Sequence, residues 1–182
     1  MVELPIDAQE MGASPLESTL LTGAYGCTID AKNRMSIPSA IRSQLDVERD
    51  GTRFYLVPGA RPRTLSIYPE KTFRRRHERR PSPEIPHDDF LTYSQVFYSM
   101  ATPLEVDKQG RVLLPERQLR LAGIGREVYI TGTGDHLDLW NKDDYEKFVD
   151  ENWSRYAELL HRARKYFPEG AVANRVQDAS PS

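Results

Sequence analysis

Apolar positions follow two rhythms along the chain. Short stretches alternate or run apolar over three to five residues: Cys27 to Ile29, Met35 to Ile37, Phe54 to Val57, Leu65 to Tyr68, Leu104 to Val106, Val112 to Leu114, Val128 to Ile130 and Leu137 to Trp140. Their length and their bounding Gly, Pro and Asn residues predict strands. A second rhythm starts at Asn141-Lys142-Asp143-Asp144, where Tyr145, Phe148, Val149, Trp153, Tyr156, Leu159 and Leu160 recur at three- and four-residue steps. That spacing, behind an acidic first turn, predicts one amphipathic helix over about 142–166. Pro69-Glu70-Lys71-Thr72-Phe73 opens a shorter helix, with Pro in the first turn, that ends before the Pro-rich linker 81–86.

The strands repeat. Cys27-Thr28-Ile29-Asp30-Ala31-Lys32-Asn33-Arg34-Met35-Ser36-Ile37-Pro38 aligns with Leu104-Glu105-Val106-Asp107-Lys108-Gln109-Gly110-Arg111-Val112-Leu113-Leu114-Pro115 at a constant offset of 77. Asp, Arg and Pro coincide, as do four apolar slots. Phe54-Tyr55-Leu56-Val57 then corresponds in kind to Val128-Tyr129-Ile130, and Leu65-Ser66-Ile67-Tyr68 to Leu137-Asp138-Leu139-Trp140. Each half reads strand, loop, strand, short helix, strand, strand. Solenoid repeats run about 20–50 residues, so two copies of this length predict a pseudo-symmetric pair sharing one core. The second copy, Pro115-Glu116-Arg117-Gln118-Leu119-Arg120, is one residue longer before its apolar-Arg pair than Pro38-Ser39-Ala40-Ile41-Arg42, which predicts a shifted or bulged start to the second short helix.

The repeated motif can be read as a hairpin whose loop is the three residues between Asp and Arg. Ile29 then faces Met35 and Cys27 faces Ile37, while Val106 faces Val112 and Leu104 faces Leu114. Period-two alternation turns those pairs inward and leaves Asp30 with Arg34, and Asp107 with Arg111, closing the loops on the outward face. Loops of this length often end on a left-handed residue, and the third positions are Asn33 and Gly110. Lys32, Asn33, Lys108 and Gln109 supply donors and cations. Arg can read guanine bidentately, Asn or Gln can read adenine, and Lys neutralises phosphate. A lone Asp-Arg pair of this spacing reads as a surface ion pair contributing under about 1 kcal/mol. Core packing explains why the apolar slots repeat; it does not explain why both outward loops carry Asp, Lys and Arg.

Composition narrows the field. The 182 residues suit one domain or two small repeats. Twenty-five basic and 27 acidic side chains leave a net charge of −2, so any polyanion binding is local. The single Cys27 excludes a disulfide framework and a cysteine-rich zinc site. The longest apolar run, Phe54 to Val57, falls far short of the roughly 20 residues that span a bilayer. Residues 1–21 read as an acidic leader, 22–70 as the first repeat, 71–98 as a helix and basic, Pro-rich linker, 99–142 as the second repeat, 143–167 as a C-terminal helix and 168–182 as a tail. Arg74 to Arg80 carries five arginines and reads as helix or linker surface, with non-specific phosphate contact the sharper alternative. Arg42 and Arg120, just after the Pro-started helices, read as surface charges, with support of the motif loops the alternative. For catalysis, His87-Asp88-Asp89 and His136 between Asp135 and Asp138 are the candidates, but neither recurs with ligand spacing, and no phosphate loop or nucleophile motif is present. No cofactor or metal is expected. A protein-interaction or antitoxin-like assembly module is the remaining alternative.

At the two Asp-x-x-x-Arg motifs, with Gly23-Ala24-Tyr25 before the first and Leu137 to Trp140 after the second, residues 22–150 resemble the MraZ family of bacterial transcriptional regulators. Asn33 stands where that family usually has Gly. The resemblance implies an α+β fold in which two SpoVT-AbrB-like swapped-hairpin repeats form a pseudo-symmetric double-split β-barrel, with short helices and the C-terminal amphipathic helix. It implies a cytoplasmic, nucleoid-associated repressor without enzymatic activity. Such a protein assembles into a homo-oligomeric ring and binds direct repeats in double-stranded DNA upstream of its own division and cell-wall genes. The DNA-binding residues would be Asp30, Lys32, Asn33, Arg34, Asp107, Lys108, Gln109 and Arg111.

Overall fold

A computed structural model describes residues 19–78 and 88–166. The chain divides into two compact units, residues 1–145 and 146–182. The first is α+β. Its strands are β1 (Ala24–Thr28), β2 (Arg34–Ser36), β3 (Arg53–Pro58), β4 (Thr64–Pro69), β5 (Thr102–Glu105), β6 (Arg111–Leu113), β7 (Glu127–Gly132) and β8 (Leu137–Asn141). Its helices are α1 (Ser39–Arg42), α2 (Val47–Asp50), α3 (Glu70–Glu78), α4 (Asp88–Met100) and α5 (Glu116–Ala122). Helix α6 (Lys142–Trp153) leads into the second unit, which holds α7 (Tyr156–Ala163) and a 3-10 turn at Arg164–Tyr166.

Six strands form an antiparallel sheet in the order β1-β7-β8-β4-β3-β5, and β2 pairs with β6 in a separate ribbon. The order reads the same from either end once the copies are exchanged. β3 and β7 show the same inside-outside pattern, burying Phe54, Leu56 and Val57 in one copy and Val128, Ile130 and Thr131 in the other. Register gives the symmetry its axis. Ser66 faces Asp138 at the middle of the sheet, and Met35 faces Val112 at the middle of the ribbon. Both are pairs of equivalent positions, so one pseudo-twofold axis passes through both. Between sheet and ribbon lies the shared core, which includes Ile29, Met35, Ile37, Val112, Leu114, Ile67, Ile130 and Leu139.

The hairpin register expected from the sequence does not form. β1 pairs with β7 of the other copy, and β2 with β6. Only the closing contact survives, Asp30 N–H to the Arg34 carbonyl at 2.9 Å, with its counterpart Asp107 N–H to Arg111 at 2.8 Å. The strands diverge beyond it because each finds a ladder partner in the other copy. The inward set is nevertheless as predicted: Ile29, Met35, Ile37, Leu104, Val112 and Leu114 are buried, and Cys27 and Val106 partly so.

Other boundaries also move. Thr19 to Leu21, assigned to the leader, belong to the body: Leu21 is fully buried and bridges Gly134, and the Thr19 hydroxyl donates to the buried Asp50 carboxylate. The second short helix is not shifted at its start, since Pro38 and Pro115 both stand at the N-cap. The extra residues lie in the first copy, where they form α2. Asp46 caps it by accepting from Arg49 N–H at 2.8 Å, and Asp50 is held by Arg49 at 2.9 Å and by Asp46 N–H at 2.8 Å. Helix α4 begins inside 71–98, where the sequence showed only one helix before the linker, and ends at Met100; Phe90, Tyr93 and Phe97 share one side, but Leu91, Val96, Tyr98 and Met100 spread its apolar surface around more than half of the helix. Phe97 stacks near Phe73 and His77 of α3, and Phe73 lies 4.5 Å from Tyr55 of β3. The predicted 142–166 helix is two helices. The Asn152 side chain donates to the Phe148 carbonyl at 2.7 Å, competing with the backbone ladder, and Arg155 N–H turns back to the Asn152 carbonyl at 3.1 Å. Residues 1–18, the Pro-rich linker 81–86 with His87, and the tail 168–182 lie outside the described residues.

Near the axis at the sheet centre, His136 connects several charges. Its Nδ1 lies 2.7 Å from Asp135, its Nε2 3.5 Å from Asp138, and its ring stacks on Tyr68 at 4.4 Å. Arg76 pairs with Asp135 at 2.8 Å, and Ser66 donates to Asp138 at 2.6 Å. Burial opposes a charged imidazole, but hydrogen bonds to the two carboxylates outweigh it and push His136 up to about 9. The unfolded value is about 6.5. The stabilisation from protonated His136 is therefore complete below about pH 6.5 and disappears as pH rises through about 9. Denaturant midpoints measured from pH 6 to 10 are expected to fall over that window in the wild type and to flatten in His136→Gln.

Gly132 makes a second stability test. A Cβ there would sit 2.4 Å from the Leu21 backbone, and Gly132 N–H donates to the Gly23 carbonyl at 2.8 Å. Gly132→Ala is expected to lower unfolding free energy by about 1–3 kcal/mol in a chemical denaturation series, because backbone rather than a mobile side chain must give way.

Candidate nucleic-acid interface

The two motif turns are the same structure built twice. In the first, Asp30 Oδ1 accepts from the backbone N–H groups of Lys32 and Arg34, each at 2.8 Å, and Oδ2 accepts from Arg34 Nε at 2.8 Å with Nη2 at 2.7 Å. In the second, Asp107 Oδ1 accepts from Gln109 N–H at 2.8 Å and Arg111 N–H at 2.9 Å. Oδ2 takes Arg111 Nε at 2.9 Å and Nη2 at 2.8 Å. One carboxylate thus ties the loop backbone with one oxygen and the guanidinium with the other. The Nη1–Nη2 edge of each arginine is left pointing away from its clamp. Asn33 and Gly110 both adopt positive φ, 58° and 76°, as the third loop position requires.

The sequence reading placed each arginine on its own hairpin; the fold places both on one ribbon. Arg34 faces Leu113 and Arg111 faces Ser36, flanking the buried Met35–Val112 pair. Antiparallel partners share a face, so Arg34, Ser36, Arg111 and Leu113 all point outward. The turns occupy opposite ends of the ribbon and are tied across it: Leu114 N–H donates to the Asn33 carbonyl at 2.8 Å, and Ile37 N–H to the Gly110 carbonyl at 2.9 Å. Lys32, Lys108 and Gln109 are exposed at the turn tips, while Asn33 is half-buried.

Two further arginines support the turns. Arg126 of the second copy donates through Nη1 to the Asp30 carbonyl and to the Ile29 carbonyl at 3.3 Å. Arg42, read from sequence as a surface charge, instead lays its guanidinium against Gly110 and donates from Nε to the Ile37 carbonyl at 3.2 Å. A Cβ on Gly110 would stand 2.8 Å from that guanidinium, which gives this glycine a second reason besides its φ. Arg120 is exposed. For Arg42 this support of a turn is the lesser of the two readings the sequence offered, while no sequence signal singles out Arg126, which reaches its turn only through the interleaving of the copies.

The remaining candidates go elsewhere. Arg74 pairs with Glu70, Arg75 donates to Thr72, and Arg76 is engaged by Asp135 and lies 5.3 Å over the Tyr68 ring, so this part of the basic run serves the surface of α3. Among the described residues no group of three or more His, Cys, Asp or Glu side chains could hold a metal ion, and no helix is long and apolar enough to cross a membrane.

Asp30 is held down to about 2, chiefly by the Arg34 backbone N–H and then by its guanidinium, and Asp107 is lowered for the same reasons by Arg111. A lowered folded value means the stabilisation is present above the ordinary aspartate value near 3.9 and is lost as pH falls from there through about 2. Carboxyl-detected NMR is expected to place the Asp30 midpoint near 2. In Arg34→Gln the midpoint is expected to rise towards the ordinary value but not reach it, because the backbone donors remain.

Comparison with known proteins finds the same duplication. A family model described as "MraZ protein, putative antitoxin-like" matches residues 20–88 and 97–164, one span for each copy. The chain is 34% identical over 140 residues to the transcriptional regulator MraZ of Bifidobacterium longum, covering 77% of this chain and 89% of that protein. It is 30% identical over 135 residues to the protein of that name from Finegoldia magna, covering 74% and 90%. With the Clostridium tetani protein of the same name it shares 29% over 133 residues, covering 73% and 89%. The chain belongs to the MraZ family.

Proposed function

We propose that the protein is a sequence-specific DNA-binding regulator of transcription, a repressor of its own division and cell-wall gene cluster. It works in the cytoplasm on the nucleoid, as a ring-shaped homo-oligomer on tandem direct repeats. The observation that carries this reading is the pair of identically clamped arginines on one outward face of one two-stranded ribbon. A B-DNA major groove admits such a ribbon, and a guanidinium whose free edge is held in place can meet guanine O6 and N7 bidentately, worth about 1–3 kcal/mol per base. Asp30 and Asp107 position; Arg34 and Arg111 read bases. Gln109 and Asn33 lie next to them for adenine, and Lys32 and Lys108 at the tips suit phosphate. The relatives' shared name, which is that of a regulator and not of an enzyme, supports the same reading.

The interleaved pairing of β1 with β7, β3 with β5 and β2 with β6 supports reading the first unit as two swapped hairpins in a double-split barrel. Association of several copies has its own support: Phe90, Leu91, Tyr93, Val96 and Tyr98 of α4 all keep a third or more of their surface exposed. One ribbon makes few contacts, so linked binding of several copies to several sites supplies affinity, by a factor on the order of a hundred or more when the spacing fits.

Charge reversal tests the reading. Arg34→Glu with Arg111→Glu is expected to abolish gel-shift of the DNA upstream of the protein's own gene while leaving the oligomer seen by native mass spectrometry unchanged. Wild-type affinity is expected to fall as operator repeats are removed one at a time. Undiminished binding by the double variant would move the DNA contact away from the two arginines, and absence of any shift by the wild type would instead favour an assembly module that recognises a protein partner.

A further inference from the structure

The ribbon is symmetric in its arginines and asymmetric in their neighbours. Across the pseudo-twofold axis Arg34 is the mate of Arg111, and Ser36 is the mate of Leu113. Because partners face each other, one end of the ribbon presents Arg34 beside Leu113 and the other presents Arg111 beside Ser36. Leu113 keeps 63% of its surface exposed, while Met35 and Val112 between the two ends are buried. A single exposed leucine is ordinary on a protein surface. This one stands directly opposite a clamped arginine, on the face proposed above to enter the major groove. Facing residues in an antiparallel pair lie about 4.5–5.5 Å apart at Cβ, within reach of the base pair next to the one the arginine meets.

The chemistry of that neighbour follows. A branched aliphatic side chain offers no donor or acceptor, and the apolar group that B-DNA displays in its major groove is the thymine 5-methyl. A serine in the same place offers a hydroxyl that suits any base. We propose that Leu113 is a base-reading residue that receives a thymine methyl beside the guanine held by Arg34, and that its contrast with Ser36 gives the ribbon a direction on DNA. An exactly twofold ribbon would dock equally well in either orientation; direct repeats need a reader with a front and a back. The turns also differ between the copies, Asn33 against Gly110 and Lys32 against Gln109, and the Ser36–Leu113 difference adds polarity on the ribbon strands themselves, directly opposite the arginines. This inference rests on the DNA-binding reading.

The experiment replaces thymines one at a time by deoxyuridine, which removes only the methyl, in a duplex from the DNA upstream of the protein's own gene carrying a single repeat. Binding is measured for the wild type, Leu113→Ser and Leu113→Val. The wild type is expected to lose about fourfold at one thymine of the repeat, the worth of one buried methyl. Leu113→Ser is expected to bind the natural duplex about as weakly as the wild type binds the deoxyuridine duplex, and to be indifferent to the replacement. Leu113→Val is expected to keep most of the discrimination. Wild-type binding that tolerates deoxyuridine at every position overturns the proposal, as does a Leu113→Ser variant that retains the wild-type penalty. If the Arg34→Glu, Arg111→Glu protein binds as the wild type does, it is the placement of DNA on the ribbon arginines that fails, and the two failures remain distinct.

Discussion

Met35 and Val112 meet across a ribbon only three residues long on each side, and that contact governs how the rest of the first unit is arranged. Each strand carries its arginine one residue before the buried position, so burying Met35 and Val112 against each other sends Arg34 and Arg111 to the opposite face. A slip of one residue would put the guanidinium groups into the core and the apolar residues into water. The register is held by more than the ladder. Each turn accepts a backbone hydrogen bond from the strand that follows the other turn, through the carbonyls of Asn33 and Gly110. The two copies therefore set the register of each other's turns.

Within each turn the aspartate does work that a simple surface ion pair would not. An exposed Asp-Arg pair contributes little stability. Here the carboxylate also collects two backbone N–H groups, so the turn cannot change shape without releasing the guanidinium. Removing rotamer freedom from a long arginine before it meets its target lowers the entropy that binding must overcome. Arg42 against Gly110 and Arg126 on the Asp30 carbonyl extend this restraint by one further layer, each acting on a turn of the copy to which it does not belong.

How far the sequence could be read follows from what is local. The duplication, the order of elements in each half, the inward set of Ile29, Met35, Val112 and Leu114, and the Asp-Arg closure are short-range features, and all are visible in spacing. The left-handed third position follows from Asn33 and Gly110 themselves. Pairing partners are not local. A three-residue loop with matched apolar flanks reads as a hairpin, and nothing within the motif says that β1 will leave β2 for β7. The same non-local step hid the place of Leu113: alternation turns it outward between Val112 and Leu114, but nothing in the motif says that it will stand opposite Arg34. Helix α4 escaped because Leu91, Val96 and Tyr98 spread its apolar surface well beyond the side that holds Phe90, Tyr93 and Phe97, and the break after Trp153 escaped because an asparagine side chain, not a proline or glycine, interrupts the ladder.

The Ser66–Asp138 contact at the sheet centre shows what joining the copies in one chain permits. Were the same fold assembled from two identical separate subunits, the residue on the dyad would have to face itself. Aspartate would then oppose aspartate, and serine would leave His136 without its second carboxylate. A tandem chain escapes that identity: one half supplies the hydroxyl, the other the acid, and a 2.6 Å hydrogen bond forms on the axis, where a homodimer could never put two different side chains.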